Sequence, residues 1–188
     1  MDVIVAPGQI APHQTVHDKL VSSLRDSISP FSIAGEIISA GYSQGIDGRP
    51  NYGRDVSAFG QRVGASVARG TSQKIFSEGV LASVLHEDAR YYQLGSHQNF
   101  LKRVVYAGTR PVIGRTDSGR TTPNLAVIGG YLGAAGLAQV YYPARNQGVS
   151  DVMETWGAGI GGAAIGDEVT EFLPDVLQFL HLKKVYHR

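Results

Sequence analysis

The chain contains no cysteine. That excludes disulfides, thiolate zinc sites and cysteine nucleophiles, and it leaves the redox compartment open. Charge is scarce too. Asp, Glu, Lys and Arg make up 18% of 188 residues, against about 25% in ordinary globular chains. A surface this poor in charge has something to cover, whether a partner, an oligomer or a bilayer. The net charge of +1 provides no global field to draw the chain to nucleic acid. Strand signals are few: residues 3–5 and 103–106 are short β-like runs, and neither has a hairpin partner at turn distance. Residues 1–13 lack the basic start and long apolar core of a secretory signal, and Pro7 and Pro12 interrupt them. The expectation is a cytoplasmic chain or the trimmed form of an exported one.

Glycine, by contrast, is abundant, with 24 of 188 residues, nearly twice the usual ~7%. Two glycine-dense apolar segments, 124–142 and 150–172, carry small residues every four positions. In the first, Gly129 is followed by Gly133, and Gly130 by Ala134. In the second, Ala158, Gly162 and Gly166 form a stripe beside Gly157 and Gly161. Gly60, Gly64 and Ala68 repeat the spacing earlier. Glycine in a helix interior costs about 1 kcal/mol relative to alanine. A chain that accepts this cost repeatedly, in register, wants backbones in close contact. That is the small-xxx-small rule, best attested inside membranes.

Helix signals order the remainder. The length suits one domain, with residues 1–14 as an irregular arm and 15–188 as a helical domain. Thr15 caps a helix with Val16, Leu20, Leu24 and Ile28 on one face. Ser29-Pro30 opens a second helix over 31–44, and 45–51 is a loop. Asp55 caps a long helix reaching about residue 87, with Gly70-Thr71-Ser72 as its break or kink. A turn at 95–99 precedes a short helix over 100–109, ended before Pro111. Residues 115–123 read as a polar loop. The two glycine-rich helices follow; Ser150 caps the second, Pro174 ends it, and 175–186 form a short amphipathic tail. The expected fold is mainly α: a glycine-rich bundle of about five to seven helices, with membrane association open.

No formal charge lies between Arg120 and Arg145. Residues 125–142 form an 18-residue run within that window, at the low edge of the ~17–25 needed to span hydrocarbon. Tyr141 and Tyr142 stand where an aromatic belt would. Upstream, Lys102, Arg103, Arg110, Arg115 and Arg120 face only Asp117, a local charge of +4 suited to anionic headgroups. A buried helix of a soluble domain has the same look. The basic stretch has an internal alternative as well. Asp151, Glu154, Asp167, Glu168, Glu171 and Asp175 lie in a stretch without Lys or Arg, and the two regions can pair across the fold.

Gly157, Gly159 and Gly162 match G-x-G-x-x-G, but the residues before them are polar and helix-like, not a buried strand, so a dinucleotide site is not expected. After the apolar run 125–128, Tyr131 and Ala134 occupy fingerprint glycine positions. The densest functional cluster is His86-Glu87-Asp88-Ala89-Arg90-Tyr91-Tyr92, which suits general acid–base chemistry or a polar ligand. Arg90 stands where H-E-x-x-H needs its second His. The structural alternative is a helix C-terminus that favours His and Arg, followed by a tyrosine-locked loop. The loop from Arg115 to Thr122 can hold a phosphate or carboxylate, or be an Asp117 side-chain turn. No cofactor and no metal are expected.

The run Leu85-His-Glu-Asp-Ala-Arg-Tyr-Tyr92 is joined by Arg115-Thr-Asp-Ser-Gly119, Tyr141-Tyr-Pro143, Trp156-Gly157 and Glu171-Phe-Leu-Pro-Asp175. Together they resemble a bacterial family of uncharacterised proteins that read as exported or envelope components. The resemblance spans about residues 30–174, with Ala89 where the family carries Pro. It implies an envelope setting and no reaction. The resulting expectation is a non-catalytic helical envelope or membrane-associated protein. It packs or self-assembles through small-residue faces at Gly60, Gly64, Gly129, Gly133, Ala158, Gly162 and Gly166. Anionic lipid or an acidic protein meets Lys102, Arg103, Arg110, Arg115 and Arg120; nucleic acid is not a partner. The alternative is a small-ligand binder or enzyme using His86, Glu87, Asp88 and Arg90 with Arg115.

Overall fold

The computed structural model describes residues 4–180. It is mainly helical, 65% helix in six helices. In order they are α1 (Val16–Ser27), α2 (Pro30–Gly45), α3, α4 (Phe100–Thr109), α5 (Leu125–Ala138) and α6 (Val149–Phe179). Helix α3 begins as Val56–Lys74, continues as a π-helical segment, Ile75–Leu81, and closes with one α-turn, Ala82–Val84. It is central, packing against α1, α2 and α5; α6 lies on α5 and α4. Two small sheets complete the fold. Strand β1 (Ile4–Val5) pairs in parallel with β2 (Tyr91–Tyr92), and β3 (Ile113–Arg115) pairs antiparallel with β4 (Thr121–Pro123).

The caps follow the sequence. Thr15 and Asp18 form a reciprocal capping box, Ser29 caps α2 ahead of Pro30, and Asp55 accepts from the Ala58 amide at 2.6 Å. Each such cap contributes about 1 kcal/mol. Several expectations need correction. Helix α3 does not break at 70–72; its irregularity lies at 75–81. Residues 103–106 are helical. The polar loop contains a hairpin, turned through Gly119 at φ 84. Ser150 is inside α6, whose cap position is Gly148 with no side-chain bond. Pro174 does not end α6 either. Proline removes the amide that would bond the carbonyl four residues back. Here Gln93 Nε2 donates to that carbonyl, Thr170 O, at 2.7 Å. The expected tail over 175–186 is helical as far as Phe179, and 181–186 lie outside the described residues.

The core is built from small side chains. Ala40, Ala58, Ala65, Ala82, Ala107, Ala126, Ala134, Ala135 and Ala138 are buried, while the largest fully buried side chains are Glu171, Ser23 and Ser77. Ordinary soluble cores bury Leu, Ile, Val and Phe instead. Without bulky side chains the helices approach closely, at Gly130 backbone to backbone. A Cβ at Gly130 of α5 would lie 2.5 Å from the Ser77 amide nitrogen, and one at Gly79 would lie 2.7 Å from Ser23 Oγ on α1. Gly159 of α6 presses equally closely on Gln73.

Of the glycines expected at helix contacts, Gly129 and Gly133 do approach α3, at Leu81 and Phe76. Gly60, Gly64, Gly162 and Gly166 do not: a Cβ at any of them meets nothing within 4 Å. Ala158 is exposed beside them. Within the chain, the close approaches belong to other faces of the same helices, centred on Gly79, Gly130 and Gly159. Gly130→Ala is therefore expected to lower the unfolding free energy by about 1–3 kcal/mol, because backbone must shift to admit the methyl. Gly162→Ala, on an open helix face, is expected to raise it by about 0.4–1 kcal/mol. Denaturant titrations of the two variants check the pair.

The apolar faces point outward. On α1, Val16, Leu20, Leu24 and Ile28 are 57, 42, 51 and 63% exposed, while Lys19, Ser23 and Ser27 are buried. The stripe legible in the sequence is the outer face, and the polar stripe is the inner one. On α2, Phe31, Ile38 and Tyr42 are likewise exposed. The 125–142 run becomes α5 only as far as Ala138, about 21 Å of helix. Among the described residues no helix is long and apolar enough to cross a membrane.

Candidate functional site

The chain reverses sharply after α3. His86 adopts φ 55, and its carbonyl accepts from the Asp117 amide at 2.9 Å. Glu87 turns inward and caps α5, its carboxylate accepting from the Leu125 and Ala126 amides at 3.3 and 3.1 Å. A negative charge there complements the helix N-terminus. Burial pushes the Glu87 carboxyl upward, opposed by those two amides. Lys19 reaches in from α1. Its ammonium donates to the Ala82 and Glu87 carbonyls at 3.1 and 2.8 Å and to both Asp117 oxygens at 2.8 and 2.9 Å.

Asp88 and Arg90 form a two-pronged pair, with Nε and Nη2 at 2.9 and 2.8 Å from the two carboxylate oxygens. Tyr92 donates to the same carboxylate at 2.6 Å, and Arg90 Nη1 reaches the Pro12 carbonyl. Burial alone would raise Asp88, but its bonds from Arg90 and Tyr92 outweigh that and hold it below the usual carboxylate range. Burial, then the bond to Asp88, pushes the Tyr92 phenol up to about 12. His86 is exposed, and among the described residues its side chain makes no hydrogen bond. Glu87, Asp88, Arg90 and Arg115 of the predicted acid–base cluster line one cavity, and His86 is not in its lining. Glu87 is engaged by α5, and Asp88 and Arg90 are engaged by each other.

The basic residues do not share a face either. Arg103 is buried, donating from Nε to Glu171 Oε1 and from Nη2 to the Glu171 carbonyl, both at 2.8 Å. Its Nη1 binds Asp175, and the guanidinium stacks 4.3 Å over Phe172. Glu171 also accepts from Tyr91 Oη and from the Leu94 and Gly95 amides. This is the pairing of basic and acidic stretches across the fold, realised at one buried junction. Arg110 lies over Tyr106 and Arg115 over Tyr92, at 4.9 and 4.5 Å. Lys102 and Arg120 are the exposed members of the set.

A second polar centre is absent from the sequence expectations. A cavity of about 120 Å³ opens between the π segment of α3, the 87–92 segment, α5 and α6. Glu78, Tyr131 and Asp167 line it, together with Arg110 and Arg115. Among the described residues, neither the Glu78 nor the Asp167 carboxylate has a hydrogen-bond or ion-pair partner. Burial pushes Glu78 up to about 7 against the opposing charge of Lys74. Burial likewise pushes Asp167 up to about 7, with Arg110 opposing. In the sequence Glu78 is a lone acid within an apolar helical run and Asp167 one member of the acidic stretch, and periodicity does not distinguish such acids from solvated ones.

These two groups set a pH dependence. Between about pH 4 and about pH 7 the unfolded chain has released protons that folded Glu78 and Asp167 still hold. The unfolding free energy therefore falls as pH rises across that window and levels off above it. Thermal melts from pH 4 to pH 8 are expected to show the decline, and Glu78→Gln with Asp167→Asn to remove most of it.

Comparison with protein-family models, with curated proteins and with solved structures finds no match to this chain, so its resemblance to the envelope family rests on the short motifs quoted above.

Proposed function

We propose that this is a non-catalytic, membrane-associated helical protein of the cell envelope, one that seats its apolar outer faces against lipid and assembles through small residues on its exterior. The observation that carries the reading is the inversion of α1, whose aliphatic stripe is exposed and whose Lys-Ser-Ser stripe is buried. Exposed apolar patches of this extent mark interaction surfaces. Covering the half-exposed Val16, Leu20, Leu24 and Ile28 contributes on the order of 4 kcal/mol. The alanine, serine and glycine contacts inside the bundle are the kind that pack helices where lipid, not water, surrounds them. Full engagement of Glu87, Asp88 and Arg90 in structural bonds favours this reading over the enzymatic one.

Lipid contact of this kind is hydrophobic, with Lys102 and Arg120 adding only a screened attraction to anionic headgroups. In a flotation assay the protein is expected to rise with both neutral and anionic phospholipid vesicles and to stay bound in high salt. Complete recovery in the soluble fraction without detergent would overturn the membrane reading. The outward stripe of Ala158, Gly162 and Gly166 on α6 is the proposed contact between copies. Gly162→Leu is then expected to reduce the assembled mass measured by light scattering in detergent; an unchanged mass would remove the assembly from the proposal.

A further inference from the structure

The cavity between α3, α5 and α6 carries charges that the fold itself does not use. Its lining includes four acids and three arginines. Glu87 is spent on the α5 N-terminus, and Asp88 and Arg90 are spent on each other. What remains is Glu78 and Asp167 on one side of the ledger and Arg110 and Arg115 on the other. Among the described residues Arg110 donates only to the Gly114 carbonyl, at 3.4 Å, and Arg115 only to the Gly119 carbonyl, at 3.1 Å. Neither forms an ion pair among the described residues. Each guanidinium instead lies over a tyrosine ring, which leaves donors free.

The local backbone is arranged around this space. The π-helical segment carries Ser77, Glu78 and Gly79 in succession. Ser77 and Gly79 are clamped by α5 and α1, since neither Gly130 nor Gly79 could accept a Cβ without a shift. Glu78, between them, lines the cavity. π-Helical insertions of this kind recur at functional sites because they re-aim a side chain at a modest cost in helix stability. Asp167 and Ala163 bring α6 to the opposite wall, and Tyr131 of α5 adds a phenol for which the described residues supply no partner.

We propose that this cavity binds a small zwitterion, a molecule with an ammonium and a carboxylate separated by one to three carbons, the ammonium held by Glu78 and Asp167 and the carboxylate by Arg110 and Arg115. Above about pH 7, where Glu78 and Asp167 are ionised and where the binding test is made, two unpaired charges of each sign disfavour a ligand that is only a cation or only an anion, because either would leave like charges desolvated without a counter-charge. Size agrees. A cavity of about 150 Å³ admits benzene, so one of about 120 Å³, in a polar wall, suits a molecule of about six heavy atoms. The inference does not depend on the membrane reading; vesicle flotation can fail while the cavity still binds.

The test is calorimetric titration of the full chain, in detergent where needed, with three probes of matched shape: β-alanine, propylamine and propionate. Saturable binding is expected for β-alanine and at least about tenfold weaker binding for the other two. Asp167→Asn and Arg110→Gln are each expected to weaken β-alanine binding at least about tenfold, and circular dichroism checks that each variant is folded. Glu78→Gln, close to isosteric, supplies a further variant for the same test if either fails to fold. Absence of β-alanine binding to the wild-type chain would overturn the proposal and leave a water-filled void. Equal binding of propylamine, or wild-type affinity in the folded variants, would overturn it as well.

Discussion

Replacing Glu171 with Ala is expected to lower the unfolding free energy by about 3–5 kcal/mol, the cost of removing one partner from a buried ion pair. Glu171 is 1% exposed and gathers four donors: Tyr91 Oη, the Leu94 and Gly95 amides, and Arg103 Nε. Those donors come from three places, the β2 strand, the turn after it and α4. Loss of the carboxylate leaves a buried phenol and two half-buried amides without an acceptor and leaves the buried Arg103 with Asp175 as its remaining ion-pair partner. The same residue stands one turn from Pro174, where Gln93 and Arg103 supply donors to the carbonyls of Thr170 and Glu171. The variant therefore loosens α6 at the point where proline already weakens it. A chain of this size loses roughly 2–4 °C per kcal/mol, so the melting temperature is expected to fall by about 10 °C. Glu171→Gln keeps the volume and two acceptor lone pairs, and is expected to cost less. Thermal melts of both variants, followed by circular dichroism, check the order.

Lys19→Met is expected to cost about 3 kcal/mol by the same mechanism. The side chain is 2% exposed and its ammonium joins α1, the last turn of α3 and the hairpin loop. Methionine fills the space but donates nothing. The Ala82 and Glu87 carbonyls lose a donor, and Asp117, itself largely covered, loses its counter-charge. Lys19→Arg keeps the charge yet presents a planar fork to a site shaped for a point charge, and is expected to recover only part of the loss. Denaturant midpoints of the three proteins separate these outcomes.

Much of the secondary structure was legible because it is written locally. Thr15, Ser29 and Asp55 cap the helices that follow them, through side-chain chemistry that needs no tertiary partner; Asn99 and Asn124 cap in the same way without having been singled out. What was not legible depends on which face a helix turns inward. The aliphatic stripe of α1 has the spacing of a buried face, and periodicity reports a face without saying whether lipid, protein or water meets it. Within the chain only some members of the small-residue stripes meet a neighbouring helix, for a related reason. Gly129 and Gly130 are equally small, but the crossing of α5 over the π segment brings Gly130 against backbone and Gly129 only against a side-chain tip. The π segment over Ile75–Leu81 leaves no mark in propensity.

Residue type singled out the 86–92 cluster as dense and left a chemical site and a structural network both open. Glu87 bonds the α5 amides, and Asp88 and Arg90 bond each other, the pattern of the structural alternative. The cavity acids escaped notice because Glu78 and Asp167 are separated by 89 positions and meet only through the packing of α3 against α5 and α6. Arg103 and Glu171 are a middle case. The basic and acidic stretches were visible as complements, while the particular buried pair was set by where α4 crosses α6.

The absence of cysteine makes the outer face of α1 directly measurable. Single nitroxide labels at Leu24→Cys and Ser23→Cys, in vesicle-bound protein, report accessibility to oxygen, which partitions into lipid, and to a nickel chelate, which stays in water. If the aliphatic face is seated in lipid, the label at 24 is reached by oxygen far more than by nickel, and the label at 23 by neither. A label at 24 reached mainly by nickel, or a label at 23 more accessible than the one at 24, would contradict the inverted packing from which the proposed function is drawn.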